Sequence, residues 1–192
     1  MARKTDSRDK AIETAERLFR AQGYAATGLS QILAESGSPK GSFYYHFPGG
    51  KEELASEVLS RYANRIENGI RRLGTLFAND PEGFVGALFE AAGKEMEINH
   101  WIGCAAQILV QELPPNNQKL RRQLSTVYKR WIEAVAIAIR PDCESEIAAE
   151  DLATLVIAAL NGARTLARAA RSQTPFFTAA DRIQKTAFGH KK

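Results

Sequence analysis

A short polar and aromatic segment, residues 40–47, carries the densest group of side chains able to contact another molecule. It reads KGSFYYHF, and only Phe43 and Phe47 have the character of core residues. A lysine, a serine, two tyrosines and a histidine can donate hydrogen bonds to phosphate oxygens and to base edges. The segment therefore suits contact with a nucleic acid better than packing inside a small module.

Residue arrangements typical of enzymes do not occur. None of the three histidines, His46, His100 and His190, has the spacing of a metal-ligand motif. The sequence GGK at 49–51 is too short for a phosphate-binding loop. Cys104 and Cys143 stand alone, which predicts free thiols, although a histidine brought near Cys104 by the fold stays an open alternative. We expect no enzymatic activity, no cofactor and no metal.

The composition is that of a globular chain without membrane spans. The 192 residues are 44% hydrophobic and carry a formal net charge of +4, which permits nucleic-acid binding without arguing for it. The longest apolar run, residues 153–160, is far shorter than the roughly 20 residues of a span. Basic residues near the N-terminus are not followed by an apolar run, so we expect no secretory signal and a cytoplasmic protein.

Hydrophobic spacing predicts an all-α fold of about nine helices, because period-two alternation is lacking. Glycine and proline clusters separate the helices. We place a boundary near Lys51, between a three-helix module (residues 1–50) and a larger helical body (51–192), joined by the fourth helix. The predicted helices cover about 7–22, 29–36, 40–47, 51–76, 81–97, 102–112, 116/117–139, 146–171 and 174–188.

The second and third helices form a predicted helix-turn-helix, because they are short and their turn contains Gly37. The second helix of such a unit enters the major groove with its N-terminus, where Lys40, Gly41 and Ser42 lie. Lys40 can donate to guanine or phosphate, Ser42 can bond several bases, and Gly41 allows close approach of the backbone.

The neighbouring residues are better suited to phosphate contacts, which orient a protein on DNA without reading sequence. For Tyr44 and Tyr45 an alternative interpretation is that each packs between helices and exposes only its hydroxyl. Lys51 begins the fourth helix and can reach the backbone of the same duplex, and Thr27 precedes the second helix, whose free N–H groups attract phosphate. The predicted DNA contacts are Thr27, Ser38, Lys40, Gly41, Ser42, Tyr44, Tyr45, His46 and Lys51.

Residues 27–47, TGLSQILAESGSPKGSFYYHF, and the KEEL sequence at 51–54 resemble the DNA-binding motif of TetR-family regulators. The close similarity covers residues 11–59. The linker PGG at 48–50 and the pair Gly103-Cys104 resemble the LmrA/YxaF-like subgroup. The resemblance implies a homodimer with an N-terminal DNA-binding module and a C-terminal ligand-binding and dimerisation domain. We expect a repressor that a small hydrophobic ligand releases from a palindromic operator.

The resemblance also implies a ligand pocket among the fifth to eighth helices. Asn161 and Arg164 are the most informative candidates, because unpaired polar groups on an apolar helix are costly. They either meet a ligand, bond to each other, or bond across an interface. The other candidates, mostly apolar as in small-molecule sites, also suit a core; they are Phe84, Phe89, Met96, Trp101, Cys104, Gln107, Ile108, Tyr128 and Trp131.

Apolar stripes on the eighth and ninth helices indicate a dimer interface, with an intramolecular core as the alternative. Small residues on the eighth helix permit close packing, and a twofold dimer implies a palindromic operator. The predicted interface residues are Leu152, Leu155, Val156, Ala159, Ala163, Leu166, Phe176, Phe177 and Ile183.

Two other functions stay open. A nonspecific nucleic-acid binder needs a stronger basic stripe than the N-terminal module carries, since acidic residues alternate with its lysines and arginines. An activator instead of a repressor is the other alternative that the sequence leaves open.

Overall fold

A computed structural model describes residues 4–114 and 116–189, and all regular structure within them is helical. The predicted all-α class is confirmed, and the described residues form nine α-helices. They are α1 (Lys4–Gln22), α2 (Leu29–Ser36), α3 (Lys40–His46), α4 (Gly50–Leu76), α5 (Pro81–Ile98), α6 (Ala105–Glu112), α7 (Gln118–Ile139), α8 (Glu146–Ala170) and α9 (Thr174–Ala187), with a 3-10 turn at Arg140–Asp142.

The chain divides into two compact units. The first runs to Asn64 and also contains Cys104–Ser125; the second contains Arg65–Gly103 and the chain from Thr126 onward. Helices α4 and α7 each contribute residues to both units. The predicted boundary at Lys51 separates a module of short helices from the body, whereas the two compact units are defined by contacts. The boundary at Lys51 therefore stays a prediction.

In the first unit, α1 presents one apolar stripe on which α2 and α3 pack. The stripe recurs at helical spacing, so its members share a face. Ala15 and Phe19 are fully buried on it. The helices beside it add buried side chains to the same core; these are Ile32, Phe43, Phe47, Leu54, Val58 and Tyr62.

The turn between α2 and α3 depends on Gly37, whose φ of 64° lies in the left-handed region. The N–H of Gly37 donates to the carbonyl of Ala34, and the N–H of Ser38 donates to Leu33 at 3.2 Å. These bonds satisfy the last carbonyls of α2 as a left-handed C-cap does. Pro39 then precedes α3.

We expect Gly37→Ala to lower the free energy of unfolding of the protein by about 1 kcal/mol, because left-handed backbone strains a residue with a Cβ atom. Urea denaturation followed by circular dichroism measures the change. Gly69→Ala is the matched control: it lies inside α4, a Cβ there meets nothing within 4 Å, and alanine in a helix interior stabilises by about 0.5–1 kcal/mol. Equal effects of the two variants would contradict the assignment of Gly37 as a left-handed cap.

In the second unit, α5, α8 and α9 pack against one another. Two of these helices have a side-chain N-cap. Asp80 accepts from the N–H of Gly83 at 2.8 Å, and Ser145 accepts from the N–H of Ala148 at 3.0 Å. Such N-caps satisfy amides that have no partner inside the helix. The core between the helices is apolar and includes Phe84, Phe89, Met96, Val156, Phe176 and Ile183.

Helix α6 begins at Ala105, three residues later than predicted. The reason is backbone conformation: His100 and Trp101 have φ values of 54° and 62°. The N–H of Trp101 donates to the carbonyl of Met96 at 2.7 Å, which closes the end of α5. The chain needs residues 102–104 to leave this turn before a new helix starts.

Candidate functional site

Helix α3 has one buried and one exposed face, as the sequence predicts. Phe43 and Phe47 are buried, with ring centroids 5.1 Å apart. Lys40 and Gly41 are exposed. Tyr44 and Tyr45 are 43% and 70% exposed, so their rings are not enclosed between helices. The exposed face offers a cation, two phenols and open backbone to a partner.

Three serine hydroxyls connect α1, the turn and α3. Ser7 Oγ donates to Ser38 Oγ at 3.3 Å, and it lies 3.3 Å from Ser42 Oγ. Ser38 is buried, and its hydroxyl lies 3.2 Å from the carbonyl of Ser7. The predicted DNA contacts Ser38 and Ser42 are thus also internal contacts that position α3. The role of Ser7 has no signal in the sequence, because the serine looks like an ordinary helix-start residue.

His46 lies at the end of α3 and is half-buried. Its ring packs edge-on against Tyr45 and Phe47, with centroids 5.1 Å and 6.3 Å away. Its Nε2 is buried and makes no hydrogen bond within the described part of the chain. The ring therefore supports the aromatic cluster, and its proposed phosphate contact stays a prediction.

Lys51 and Thr27 make internal contacts at the helix starts. The Nζ of Lys51 lies 4.2 Å from the centroid of the Tyr24 ring, a cation–π distance. Burial lowers the pKa of Lys51, and the negative charge of Glu112 opposes this shift. Thr27 is fully buried, and its hydroxyl donates to the carbonyl of Gly23 at 2.6 Å. The side chain of Thr27 thus holds the turn, while α2 starts at Gly28 with no side-chain cap.

Glu112, at the end of α6, is a residue that the sequence analysis missed. Its carboxylate accepts a hydrogen bond from the N–H of Ala25 at 2.7 Å. Gly23, with φ of 97°, lies directly beside it: a Cβ atom at that glycine would be 2.5 Å from Oε1 of Glu112. Glu112 therefore clamps the turn that leads into the helix-turn-helix.

Ion pairs hold α1 against its neighbours. Arg17 pairs with Glu35 of α2, and this hydrogen bond lowers the pKa of the Glu35 carboxyl. Arg8 contacts Glu57 of α4 at 2.7 Å, and Arg61 pairs with Asp9. These pairs link α1 to α2 and to α4 within the first unit.

The predicted ligand-pocket residues fall in different environments. Phe84, Phe89, Met96 and Trp131 are buried in the second unit, while Trp101, Tyr128, Asn161 and Arg164 are half-buried there. Cys104, Gln107 and Ile108 belong to the first unit, where Cys104 and Ile108 are buried. The amide of Asn161 donates to the carbonyl of Ile157 at 3.0 Å, and Arg164 lies 3.5 Å from Glu95. The two polar groups therefore bond within the unit, and their contact with a ligand stays a prediction.

A cavity of about 390 Å³ in the second unit includes Arg164 in its wall. Helices α4 and α5 supply most of the wall, including Arg65, Arg72, Leu88 and Glu95. None of these four residues is a candidate from the sequence, because each is ordinary at its position on an amphipathic helix.

The predicted dimer residues divide between a core and a surface. Val156, Ala163, Phe176 and Ile183 are buried within the chain, so they serve the intramolecular core that the sequence left as the alternative. Leu152 and Ala159 are half-buried. Leu155, Leu166 and Phe177 are 55%, 61% and 53% exposed. The outer face of α8 and α9 is thus apolar and open in the isolated chain.

Across residues 4–114 and 116–189, no group of three histidine, cysteine, aspartate or glutamate side chains is placed to hold a metal ion. No helix in the same residues is long and apolar enough to cross a bilayer.

Two family models match the chain. The model described as bacterial regulatory proteins of the tetR family matches residues 11–58. The model described as the transcriptional regulator LmrA/YxaF-like C-terminal domain matches residues 81–182. The transcriptional regulator LmrA of Bacillus subtilis (strain 168) is 36% identical over 170 residues, covering 88% of this chain and 90% of LmrA.

Solved structures share the fold. A TetR-family transcriptional regulator of Agrobacterium tumefaciens superposes with a TM-score of 0.84 at 19% identity, covering 96% of this chain and 99% of that one. The regulator CifR, solved with 26-base-pair double-strand operator DNA, has a TM-score of 0.80 at 20% identity, covering 93% and 95%.

The chain belongs to the TetR family of DNA-binding transcription regulators, with a C-terminal domain of the LmrA/YxaF-like type. It is a transcription regulator and not an enzyme. The predicted family and subgroup are both confirmed.

Proposed function

We propose that the protein is a cytoplasmic homodimeric repressor that a small hydrophobic ligand releases from a palindromic operator. The observation that carries the proposal is the exposed face of α3, with Lys40 and Gly41 at its N-terminal end and Tyr44 and Tyr45 behind them. In a helix-turn-helix, the N-terminal residues of the second helix reach base edges.

The roles of these residues differ in our proposal. Lys40 is exposed, so it is free to donate to guanine acceptors or a phosphate. Ser42 is engaged with Ser7, so it contributes to base reading while helping to hold α3 in place. Tyr44 and Tyr45 orient the protein through phosphate contacts. The bare start of α2 offers amides to another phosphate.

Selection of bound sequences from random DNA tests the function. We expect a palindrome whose half-sites are centred about 34–36 Å apart or a multiple of that distance. A ligand that dissociates the complex should reduce operator affinity by about 5- to 150-fold, the usual range of allosteric coupling. Enrichment of no sequence would overturn specific binding and favour the nonspecific alternative.

We expect Lys40→Ala to weaken operator binding by about 1–3 kcal/mol and to relax base preference at one position of each half-site. Fluorescence anisotropy with a panel of single-base operator variants measures both effects. Lys94→Ala is the matched control, because Lys94 is an exposed lysine of α5 in the second unit. A uniform loss across all operator variants would assign Lys40 to phosphate and remove its base-reading role.

A reporter assay decides between repressor and activator. A repressor lowers expression from a promoter that contains the selected operator, and added ligand restores it. An activator would raise expression from the same promoter.

A further inference from the structure

We propose that the cavity formed by α4, α5 and α8 binds an amphipathic carboxylate, an aliphatic or aromatic tail that ends in one acidic group. This inference rests on the proposed function for the statement that the protein responds to a ligand. It adds the charge class of the ligand and the residues that select it.

The interior of the cavity suits an apolar tail. Ile66, Ile70 and Leu73 of α4 and Leu88 and Ala92 of α5 line it. Of these residues, Ile70, Leu88 and Ala92 are buried. The volume of about 390 Å³ lies toward the lower end of the roughly 300–1,000 Å³ of small-molecule sites, which are mostly apolar with a few placed polar groups. A small ligand with one polar end fits this description.

The charges of the wall select an anionic end. Three arginines, Arg65, Arg72 and Arg164, line the cavity together with a single acid, Glu95. Cationic groups therefore outnumber anionic ones among the lining residues, which makes a carboxylate the better-matched end group. A guanidinium also presents paired N–H donors that match a carboxylate in geometry. An amine or quaternary ammonium would meet three like charges.

Arg164 is the most buried of the three, because Arg65 and Arg72 are exposed. Its side chain is only 12% exposed, and it lies 3.5 Å from the Glu95 carboxylate, whose side chain is 33% exposed. Glu95 holds the guanidinium at the wall, and it also opposes an incoming anion. The two partners of this ion pair thus have opposite effects on a carboxylate ligand, which separates a binding site from a purely structural ion pair.

Three probes of equal chain length test the charge selectivity: decanoate, decan-1-ol and decyltrimethylammonium. Isothermal titration calorimetry on the full-length protein, below the aggregation concentration of each probe, gives their affinities. We expect decanoate to bind at least 10-fold more tightly than decan-1-ol and decyltrimethylammonium more weakly than both. Tighter binding of the cationic probe, or no binding of any probe, would overturn the proposal.

Two substitutions in the ion pair provide the sharper test. Arg164→Gln is expected to weaken decanoate binding at least 10-fold, whereas Glu95→Gln is expected to strengthen it several-fold. Both break the same ion pair, so equal losses in the two variants would mean that the pair is structural and that the site is wrong. Decan-1-ol affinity should change little in either variant.

Two further variants protect the test against misfolding and general charge effects. Arg72→Gln changes an exposed wall residue, so it should fold and should weaken decanoate several-fold. Arg171→Gln removes an exposed arginine at the end of α8 outside this cavity and should have no effect. An equal loss in Arg171→Gln would attribute decanoate binding to net charge and overturn the site.

A gel-shift assay keeps this proposal separate from the proposed function. Loss of decanoate binding with intact operator binding refutes the cavity alone. Failure to bind any DNA refutes the proposed function. The calorimetric titrations of the probes and variants still decide whether the cavity binds decanoate.

Discussion

Phe43→Ala is expected to reduce the unfolding free energy of the first unit by about 3–5 kcal/mol, the usual range for a buried phenylalanine cut back to alanine, and to abolish operator binding. Phe43 is 1% exposed, and its ring packs against Tyr44 and Phe47 at centroid distances of 5.4 Å and 5.1 Å. Removing the ring leaves a cavity beneath α3. Urea denaturation and fluorescence anisotropy with operator DNA measure the two effects.

Tyr45→Ala is the control, because the same helix carries Tyr45 at 70% exposure. This variant should unfold within about 0.5 kcal/mol of the wild type, as surface substitutions do, while it weakens DNA binding. If Phe43→Ala kept wild-type stability, the packing of α3 described here would be incorrect.

If the protein is the homodimer proposed above, Leu166→Glu is expected to convert it to a monomer and to reduce operator affinity by at least about 100-fold, because two linked half-site contacts are replaced by one. Leu166 is 61% exposed on α8, so a charge there leaves the fold of the monomer intact. It belongs to the wall of a groove with Ala159 and Gly162, where a methyl group and a bare backbone permit close approach of a second copy. Analytical ultracentrifugation measures the mass.

Ile98→Glu provides the comparison for this variant. Ile98 is 76% exposed at the end of α5. The substitution therefore introduces the same charge at another exposed apolar position of the second unit. We expect it to stay dimeric with unchanged operator affinity. A dimeric Leu166→Glu protein would place the interface elsewhere.

Local patterns account for the parts of the fold that the sequence predicts. Gly37 and Pro39 mark the turn between α2 and α3, and Asp80 with Pro81 marks the start of α5, because capping and chain breaking act over a few residues. The burial of Phe43 and Phe47 also follows from helical spacing. The exposed face of α3 could thus be identified from local spacing alone.

Long-range contacts explain what the sequence could not predict. Ala25 and Glu112 are 87 positions apart, and no local pattern relates the two. No local pattern relates Ser7 to Ser42 either. The contact between their hydroxyls means that the Ser42 hydroxyl is held in place and is not a free donor. The stripe on α8 gives another example. The sequence places Leu155 and Val156 together in the predicted apolar stripe, but only the packing shows that Val156 is buried and Leu155 is exposed.

The contact of Glu112 with the turn at Gly23 and Ala25 determines how DNA specificity could be transferred between family members. A chimera joined at residue 50 would leave Glu112 in the recipient body, facing a foreign turn in which a side chain at position 23 would force the Glu112 carboxylate to shift. The transplantable unit is the compact one: the chain to Asn64 together with Cys104–Ser125. Swapping both segments keeps the carboxylate and its turn together. A hybrid regulator built from this scaffold then needs three crossovers, after Asn64, before Cys104 and after Ser125, instead of the one of a simple N-terminal exchange.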